Sequence, residues 1–251
     1  MRRLDGQTVV VTGAAGGLGS LIAVGLGQAG AFVRGIDRVG CPACDDTILA
    51  DLSSPAELER LCGLLGRSPV DILVNVAGVQ YFGPVERQDP ASIQLCYAVN
   101  LIAPATLIRA VLPQMRARRS GQIASIGSVM GSINYPHFAC YSSSKAGLRG
   151  LSEGLRREVH GEGIAVTYIA PRAVKTGFND DAVNRFLALA KMQTDDSHDV
   201  ADRIVAAILA RRKDVTFGWK ERLFMRINGL MPRLVDAGLA AETLKARQLF
   251  T

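Results

Sequence analysis

Short apolar runs alternate along the chain with longer segments in which apolar residues recur at helical spacing. The runs have the length of buried strands, and they cover residues 8–11, 31–37, 47–51, 71–78, 122–127, 165–170 and 215–217. Strands that alternate with helices in this way are typical of a doubly wound α/β fold. The pattern therefore predicts a parallel sheet of about seven strands with helices on both faces.

Helix starts are marked by capping residues followed by proline. The segment SPAE (54–57) has the side chains of a capping box, with proline at the first helical position. The segment DP (89–90) repeats the signal before a helix that the apolar spacing extends to about Met115. Pro104 lies inside this long helix, where its missing N–H group predicts a kink.

The 251 residues show no internal repeat, low-complexity segment or linker, which predicts one domain spanning 1–251. An apolar fraction of 48% allows a sizeable core and argues against disorder. The chain has no uninterrupted run of 18 apolar residues, so we expect no membrane-spanning helix. The N-terminal apolar stretch is too short for a signal peptide, and we expect a cytoplasmic protein.

Cysteine and histidine are sparse and scattered, which argues against a disulfide framework and predicts no metal site. The five cysteines are an odd number, as expected for reduced thiols, and lie at Cys41, Cys44, Cys62, Cys96 and Cys140. The CPAC segment (41–44) has no second cysteine pair or matched histidines with which to bind zinc. Two acidic residues follow it and disfavour a thiolate, so we interpret it as an ordinary loop.

The net charge of +6 is concentrated near the C-terminus. Residues 209–251 contain nine Lys or Arg against four Asp or Glu, whereas the rest of the chain is close to neutral. A near-neutral main body argues against nucleic-acid binding.

The first predicted strand runs into a glycine-rich turn, TGAAGGLG (12–19). Such a turn before a helix lets the backbone approach a pyrophosphate, although similar turns also serve ordinary helix–strand packing. Asp37 ends the second strand 18 residues after Gly19, where a carboxylate can accept a hydrogen bond from an adenosine ribose. Its charge would repel a 2′-phosphate and favours NAD over NADP, while Arg38 beside it works in the opposite direction.

Tyr141 and Lys145 are four residues apart in the segment ACYSSSKAG (139–147), so they share one face of a helix. A nearby ammonium lowers the pKa of a phenol, which would make the tyrosine a usable proton donor and acceptor. A surface helix could show the same spacing by chance. The small residues around the pair leave space beside it.

Together, the glycine turn and the Tyr-x-x-x-Lys segment resemble those of the short-chain dehydrogenase/reductase family, over roughly residues 5–217. Further segments match the family at the expected spacing, namely Asp51-Leu52, Asn75-Val76-Ala77-Gly78, Asn100 and Ser128. The family usually has a second asparagine where this chain has Val76. The resemblance implies a Rossmann-like fold and a nicotinamide-dependent oxidoreductase that interconverts a secondary alcohol and a ketone.

The resemblance also implies a role for each matching residue. Tyr141 would exchange a proton with the substrate, and Lys145 would stabilise the phenolate and hold the nicotinamide ribose. Ser128 would bind the substrate oxygen, and Asn100 would hold a relay water. The cofactor-binding set comprises Gly13, Gly17, Leu18, Gly19, Asp37, Asp51, Leu52, Asn75, Ala77, Gly78, Tyr141, Lys145, Pro171, Val174 and Thr176. An epimerase or dehydratase, or a regulatory protein that keeps the fold without catalysis, remains compatible with these residues.

One position near the expected nicotinamide site departs from the family. The family usually has Pro-Gly after the sixth strand, whereas this chain has Pro171-Arg172. Arginine removes a permissive backbone position, and it predicts a large cation near the nicotinamide end of the cofactor.

The segment 175–193, after the sixth strand, is where the family's substrate specificity resides. Its apolar residues predict a hydrophobic substrate with a lipid, acyl or steroid-like body, and they are Phe178, Val183, Phe186, Leu187 and Leu189. An amphipathic helix packed on the core would show the same pattern. We expect the opposite side of the pocket to be lined by Tyr135, His137 and Phe138.

Subunit contacts are also implied by the resemblance. In the family the long helix from residue 90 and the helix that begins near Tyr141 are the usual contact helices, so we expect a homodimer or a homotetramer.

The tail 217–251 extends beyond the resemblance, and its segment 217–239 is basic and amphipathic. Arg222, Arg226 and Arg233 fall on one side of a helical wheel, the other side is apolar, and Pro232 predicts a break. Two interpretations remain open. The apolar side packs as a lid over the pocket or against another subunit, or the segment makes a peripheral contact with an anionic membrane.

Overall fold

The computed structural model describes residues 3–250, and one parallel sheet carries all seven predicted strands. In chain order they are β1 (Thr8–Thr12), β2 (Phe32–Asp37), β3 (Asp46–Leu49), β4 (Ile72–Asn75), β5 (Gly121–Ile126), β6 (Ile164–Ala170) and β7 (Asp214–Thr216). Their order across the sheet is β3-β2-β1-β4-β5-β6-β7. The predicted doubly wound, Rossmann-like α/β fold is confirmed.

Helices connect the strands and cover both faces of the sheet. The α-helices of the described residues are α1 (Gly17–Gln28), α2 (Pro55–Arg67), α3 (Pro90–Tyr97), α4 (Ala103–Ala117), α5 (Ala139–Glu158), α6 (Asp181–Leu189), α7 (Ser197–Leu209), α8 (Trp219–Leu230) and α9 (Pro232–Arg247). One face is covered by α1 and α7, and the other by α2, α4 and α5.

Each helix layer is held by a core of fully buried apolar side chains. These include Ile22, Leu26, Ile204 and Ile208 on the α1–α7 face, and Leu61, Leu65, Leu107 and Val111 on the α2–α4 face. Burying one such side chain contributes about 1.5–3 kcal/mol, so the helices are fixed against the sheet by packing. The sheet is thereby a rigid base for the loops at its carboxyl edge.

The strand order reverses between β1 and β4, and this reversal positions the site. In open α/β sheets, ligands bind in the crevice at such a point, beyond the carboxyl ends of the strands. Thr12 at the end of β1 pairs with Asn75 at the end of β4. The Thr12 hydroxyl accepts hydrogen bonds from the backbone N–H groups of Val76 at 3.1 Å and Ala77 at 3.2 Å. The two loops predicted to bind the cofactor are therefore tied together.

Both predicted caps are present. The Ser54 hydroxyl accepts a hydrogen bond from the Glu57 N–H at 3.4 Å, and a carboxylate oxygen of Asp89 accepts one from the Ser92 N–H at 3.3 Å. Proline begins the helix in each case, as predicted.

The long helix predicted from residue 90 is interrupted before the predicted kink at Pro104. A π-helical turn, Ala98–Ile102, separates α3 from α4, and the Ala103 N–H donates to the Ala98 carbonyl five residues earlier. Pro104 has no N–H to donate to the carbonyl of Asn100, four residues before it. The helix widens at this turn, and π-turns of this kind are common at functional sites.

The segment Pro90–Ala117 is apolar enough, by length and composition, to cross a membrane, with a mean hydropathy of 1.7 over its best window. Half of that window is buried inside the fold. Its main part, α4, packs against α2 and the sheet. The apolar character is therefore explained by a core helix.

The C-terminal segment forms a helical hairpin, α8–α9, and Pro232 begins its second helix, where a break is predicted. Val235 and Ala246 of α9 are buried. Phe250 reaches the apolar cluster that also contains Tyr141. One side of the hairpin thus packs on the body of the protein.

Candidate active site

A cavity of about 660 Å³ lies at the carboxyl edge of the sheet, where the strand order reverses. Most of the predicted site residues line it, namely Gly13, Gly17, Leu18, Gly19, Asp37, Asp51, Leu52, Ala77, Gly78, Ser128, Tyr141, Lys145, Pro171, Val174 and Thr176. Two do not. Asn75 is buried at the end of β4, and Asn100 is buried behind the cavity wall.

The glycines of the turn after β1 allow backbone segments to pack more closely than side chains would permit. Gly13 has a φ of 66°, and a Cβ atom there would lie 2.7 Å from the Cα atom of Ala77. A Cβ atom on Gly19 would lie 2.0 Å from the Gly13 carbonyl oxygen. Gly16, which precedes α1, has no side chain with which to cap the helix. The first turn of α1 therefore presents backbone N–H groups and positive potential to the cavity, which suits a pyrophosphate.

Two carboxylates mark the other end of this region. Asp37 is held by two backbone N–H groups, from Ala15 at 3.0 Å and from Arg38 at 2.7 Å. The pKa of Asp51 is lowered by the hydrogen bonds that Ser53 donates and by the charge of Arg38. Both carboxylates therefore lie at the wall of the cavity, where they can accept hydrogen bonds from a ligand. The cavity thus fits a nicotinamide dinucleotide along its length.

Tyr141, Lys145 and Ser128 meet at the opposite end of the cavity. The Lys145 ammonium lies 6.0 Å from the centroid of the Tyr141 ring and donates a hydrogen bond to the Ile126 carbonyl at 3.0 Å. Ser128 lies in the turn after β5, where its hydroxyl accepts a hydrogen bond from the Met130 N–H at 3.1 Å. The Ser128 hydroxyl lies close enough to the Tyr141 phenol to lower its pKa. A substrate oxygen placed here could contact the phenol and the serine together.

Burial dominates the proton affinities of this group. It raises the pKa of Tyr141 to about 12, and the Ser128 hydroxyl lowers it only in part. Burial also lowers the pKa of Lys145 to about 8. The lowering of the tyrosine pKa that a nearby ammonium was expected to cause is therefore outweighed here by burial. The low-dielectric surroundings penalise a phenolate more than an ammonium at this distance stabilises it.

Asn100 lies in the π-helical turn and holds neighbouring segments together. Its side-chain amide donates to the Val79 carbonyl at 2.8 Å and to the Ser144 hydroxyl at 2.9 Å, and its oxygen accepts from the Val79 N–H at 2.8 Å. A Cβ atom on Gly78 would lie 3.3 Å from this oxygen and 3.4 Å from the Lys145 ammonium. The Asn100 amide and the Lys145 ammonium therefore both lie next to Gly78.

The small residues of α5 permit close packing. A Cβ atom on Gly147 would lie 2.8 Å from the Leu101 side chain in the π-turn. Ser142 and Ser144 are buried, and the Ser144 hydroxyl donates to the Tyr141 carbonyl at 2.7 Å. The space predicted beside the tyrosine is thus partly filled by the neighbouring helix.

The end of the cavity beyond Tyr141 is apolar. It is lined by Leu95, Val99, Met130, Phe138, Phe178, Val183, Leu187 and Met192. Only part of the predicted set is in this list. Phe186 is buried in the aromatic cluster behind the wall, and Leu189 is exposed on the outer side of α6.

Tyr135 and His137 do not line the cavity, contrary to expectation. The ring centroid of His137 lies 4.9 Å from that of Phe250 and 6.2 Å from that of Phe82. The C-terminal segment folds back onto this loop and covers these side chains. Only Phe138 of the three faces the cavity.

Arg172 lines the cavity, but its charge is directed to the neighbouring loops. Its guanidinium donates to both carboxylate oxygens of Asp195, at 2.8 and 2.6 Å, and to Gln193 at 2.9 Å. Glu221 of α8 lies 3.5 Å away. The arginine therefore joins the end of β6 to the segment 175–193, called the specificity segment below, and to the C-terminal hairpin. The sequence predicted a cation near the nicotinamide end of the cofactor, and it did not predict these contacts.

Gln80 was not identified from the sequence. Its side-chain amide donates to the Phe178 carbonyl at 2.9 Å and to Asn179 at 3.0 Å, so it connects the loop after β4 with the specificity segment across the cavity mouth. No periodicity or motif distinguishes this residue, because its partners lie about a hundred residues away in the chain.

Comparison with known proteins identifies the family. A profile of the short chain dehydrogenase family matches residues 7–185, which is more than half of the chain. The chain belongs to the short-chain dehydrogenase/reductase family. This assignment confirms the resemblance. The family consists of oxidoreductases that bind a nicotinamide dinucleotide and act on CH–OH or ketone groups.

Several curated members of the short-chain dehydrogenase/reductase family are similar along most of this chain. Ketoacyl reductase HetN of Nostoc is 30% identical, over 94% of this chain and 89% of that protein. The 3-ketodihydrosphingosine reductase of Bacteroides thetaiotaomicron is 31% identical, over 93% of this chain and 82% of that protein. A short chain dehydrogenase of Pseudocercospora fijiensis is 33% identical over 72% of this chain, which spans 65% of that protein's length.

Solved structures of the family share the fold. One from Beutenbergia cavernae, described as an NAD(P)-dependent gluconate 5-dehydrogenase with NADP bound at low occupancy, superimposes with a TM-score of 0.77. It is 27% identical, and the match covers 85% of this chain and 96% of that chain.

Proposed function

We propose that this protein is an NAD(H)-preferring oxidoreductase that interconverts a secondary alcohol and a ketone on a hydrophobic substrate. The observation that carries the proposal is the convergence of Tyr141, Ser128 and Lys145 between the glycine turn and an apolar chamber of the same cavity. A carbonyl in that chamber would lie within reach of both a proton donor and a cofactor.

Each residue has a distinct task in this proposal. When bound, the nicotinamide supplies or accepts the hydride. Tyr141 donates its proton to the substrate oxygen during reduction and removes it during oxidation. Ser128 donates a hydrogen bond to the same oxygen and stabilises the charge that develops there.

Lys145 and Asn100 act behind the tyrosine. Lys145 keeps an ammonium beside the phenol and has N–H donors left for the nicotinamide ribose. Because Pro104 cannot donate to the Asn100 carbonyl, that oxygen is available to a water molecule. We infer that this water passes protons between Lys145 and solvent.

The chemistry of the chamber supports the hydrophobic substrate. Its wall is made of aliphatic, thioether and aromatic side chains, which gain free energy by covering an apolar body. Two of the similar proteins are named as reductases of ketoacyl and ketodihydrosphingosine substrates. A long-chain β-hydroxy or β-keto compound combines an apolar body with the required oxygen.

A substrate screen tests the proposal in both directions with NAD(H). The panel contains long-chain 3-keto compounds, steroid ketones, and small polar sugars and hydroxy acids. Turnover should be confined to the apolar compounds. Turnover of gluconate-like compounds alone would contradict the hydrophobic substrate, and cofactor binding without turnover of any compound would favour a regulatory protein.

Cofactor preference is tested at Asp37. In this proposal the Asp37 carboxylate binds the adenosine ribose and would repel a 2′-phosphate, so we expect tighter binding of NADH than of NADPH in a fluorescence titration. Asp37→Ala should narrow the difference, mainly by improving NADPH binding. Several solved relatives contain NADP or NADPH, so tighter NADPH binding by the unmodified protein is the result that would overturn this part.

A further inference from the structure

The hairpin α8–α9 has an outer face that nothing in residues 3–250 covers. We define the outer face by its exposed apolar side chains, Trp219, Leu223, Leu230, Met231 and Leu234, which are 70%, 50%, 84%, 55% and 56% exposed. The opposite side of α8 is held on the body, where Asn228 donates to the Ser132 carbonyl at 2.8 Å. The outer face is therefore presented to the surroundings on a helix that is fixed from behind.

Basic side chains border the outer face. Arg222, Arg226 and Arg233 are exposed, and helical spacing places Arg222 and Arg226 beside Trp219 and Leu230 on α8. Large apolar groups clustered at a surface mark an interaction site. Arginines at the border of such a cluster narrow the partner to one that is both apolar and anionic.

A polar cavity of about 450 Å³ opens where α8 begins, next to Trp219. Its charged lining residues are Arg172, Arg203, Lys220, Arg222 and Glu221. Arg172 is neutralised by Asp195 and Glu221, and the remaining cations leave the cavity positive. This positive potential continues the basic border of the outer face.

We propose that the outer face docks onto the surface of an anionic lipid bilayer. Trp219 and the aliphatic side chains enter the interfacial region, and the arginines and Lys220 contact lipid headgroups. A soluble phosphorylated ligand would use the cations but would leave five large apolar side chains in water. The proposal goes beyond the proposed reaction, since docking does not depend on what the enzyme turns over.

Trp219 is the only tryptophan in the chain, so its fluorescence reports on this surface alone. We would add vesicles of phosphatidylcholine, with and without phosphatidylserine, to the intact protein and follow both emission and co-sedimentation. Phosphatidylserine vesicles should shift the emission to the blue and sediment the protein at low salt. Phosphatidylcholine vesicles should do so weakly, and added salt should reverse the effect. Inorganic phosphate should leave the emission unchanged.

Matched variants locate the contact. Leu230→Asp should greatly weaken sedimentation, whereas Leu49→Asp, at a 58% exposed leucine on the opposite edge of the sheet, should not. Arg226→Glu should lower vesicle affinity by at least about fivefold, since one basic group near an anionic surface contributes about 1 kcal/mol. Arg67→Glu carries the same charge change on α2 and is its control.

Two results would overturn the proposal. One is a protein that stays in the supernatant with phosphatidylserine vesicles at low salt and keeps its Trp219 emission. The other is an emission that is already blue-shifted without lipid and moves to the red on dilution, which would assign the outer face to a second copy of the chain.

Discussion

The Tyr141 phenol and the Lys145 ammonium are both enclosed by protein, so their charges depend on what fills the cavity beside them. In the protein alone the tyrosine is neutral, with a pKa near 12. A positively charged nicotinamide would add a second cation near the phenol and favour its ionised form. Under the proposed reaction, the tyrosine would therefore change its proton affinity when the cofactor binds.

Removing the phenolic hydroxyl tests the proton-transfer role. Tyr141→Phe should lower turnover by about 10²–10⁴-fold, the usual contribution of a general acid, while leaving NADH affinity nearly unchanged. Ser128→Ala should also lower turnover more than binding, because its hydroxyl acts on charge that develops during the reaction. Steady-state kinetics and NADH titration separate the two effects. A Tyr141→Phe protein with most of its activity would refute the assignment.

Lys145 provides a pH-dependent test of stability. Its pKa is near 8 in the folded protein and near 10.4 in an unfolded chain. Below about pH 8 the folded state bears the full cost of a buried ammonium, and between about pH 8 and 10.4 the folded protein loses that proton while the unfolded chain keeps it. This group therefore makes the folded state more stable as the pH rises through that window.

Lys145→Met should accordingly raise the free energy of unfolding, relative to the unmodified protein, most at about pH 7 and least at about pH 10. The increase at pH 7 should exceed that at pH 10 by on the order of 1–3 kcal/mol. Urea unfolding of both cofactor-free proteins measures it. Lys213→Met, which removes an exposed lysine, is the matched control. An advantage that grows with pH would contradict the buried-ammonium explanation. The same variant should also bind NADH less tightly.

Among the elements, the specificity segment and the hairpin are joined at one arginine. The backbone of Asp195 pairs with that of Ala173 and Lys175, and its carboxylate binds Arg172. These bonds close the base of the segment that forms one wall of the cavity. The wall is therefore held at its end, while its middle faces the cavity.

Replacing Arg172 by the residue usual in the family tests this contact. Arg172→Gly should lower the free energy of unfolding by about 1–3 kcal/mol, because it leaves the carboxylate of Asp195 without its charged donor. Hydrogen exchange should increase in residues 173–195, and KM should rise more than kcat falls. Arg172→Lys keeps the charge but loses the paired hydrogen bonds, so its free energy of unfolding should lie between those of Arg172→Gly and the unmodified protein. Unchanged exchange in that segment would show that the ion pair does not hold it.

The strands and capped helices could be predicted because their signals are local. Apolar runs mark the strands, and the Ser54 and Asp89 caps mark two helix starts. The π-turn could not be placed, because the pattern of apolar residues does not distinguish a turn of four residues from one of five. The contact of His137 with Phe250 and the pairing of Arg172 with Asp195 join residues that are distant in sequence.

For the molecule as a whole, the candidate site could be assembled from sequence because most of its residues follow strand ends at one sheet edge. Asn75 and Asn100 were assigned with the rest, yet both lie behind the cavity wall. Which member of a loop faces the cavity depends on packing, and spacing alone does not determine it. The single domain remains a prediction, although one sheet joins all seven strands.

The assembly of the molecule is a further prediction. The π-turn between α3 and α4 exposes Ile102, which is 53% accessible on a helix expected to contact another subunit. Light scattering at micromolar concentration should give a dimer or a tetramer, and Ile102→Asp should shift it towards the monomer. Leu64→Asp, at a partly exposed leucine on α2, is the control. A monomeric unmodified protein would contradict the prediction.

The three-way contact of Arg172 has a consequence for building chimeras. An engineer who grafts a relative's loop into positions 175–193 to change selectivity would keep both Arg172 and Asp195, and the hairpin would keep Glu221. A transplant that also replaces Asp195 by a residue without a carboxylate would remove the acidic group that accepts two hydrogen bonds from the Arg172 guanidinium. Exchanging the segment 175–195, Arg172 and the hairpin α8–α9 together would keep these contacts matched. The segments that should be exchanged together are therefore not contiguous in the chain.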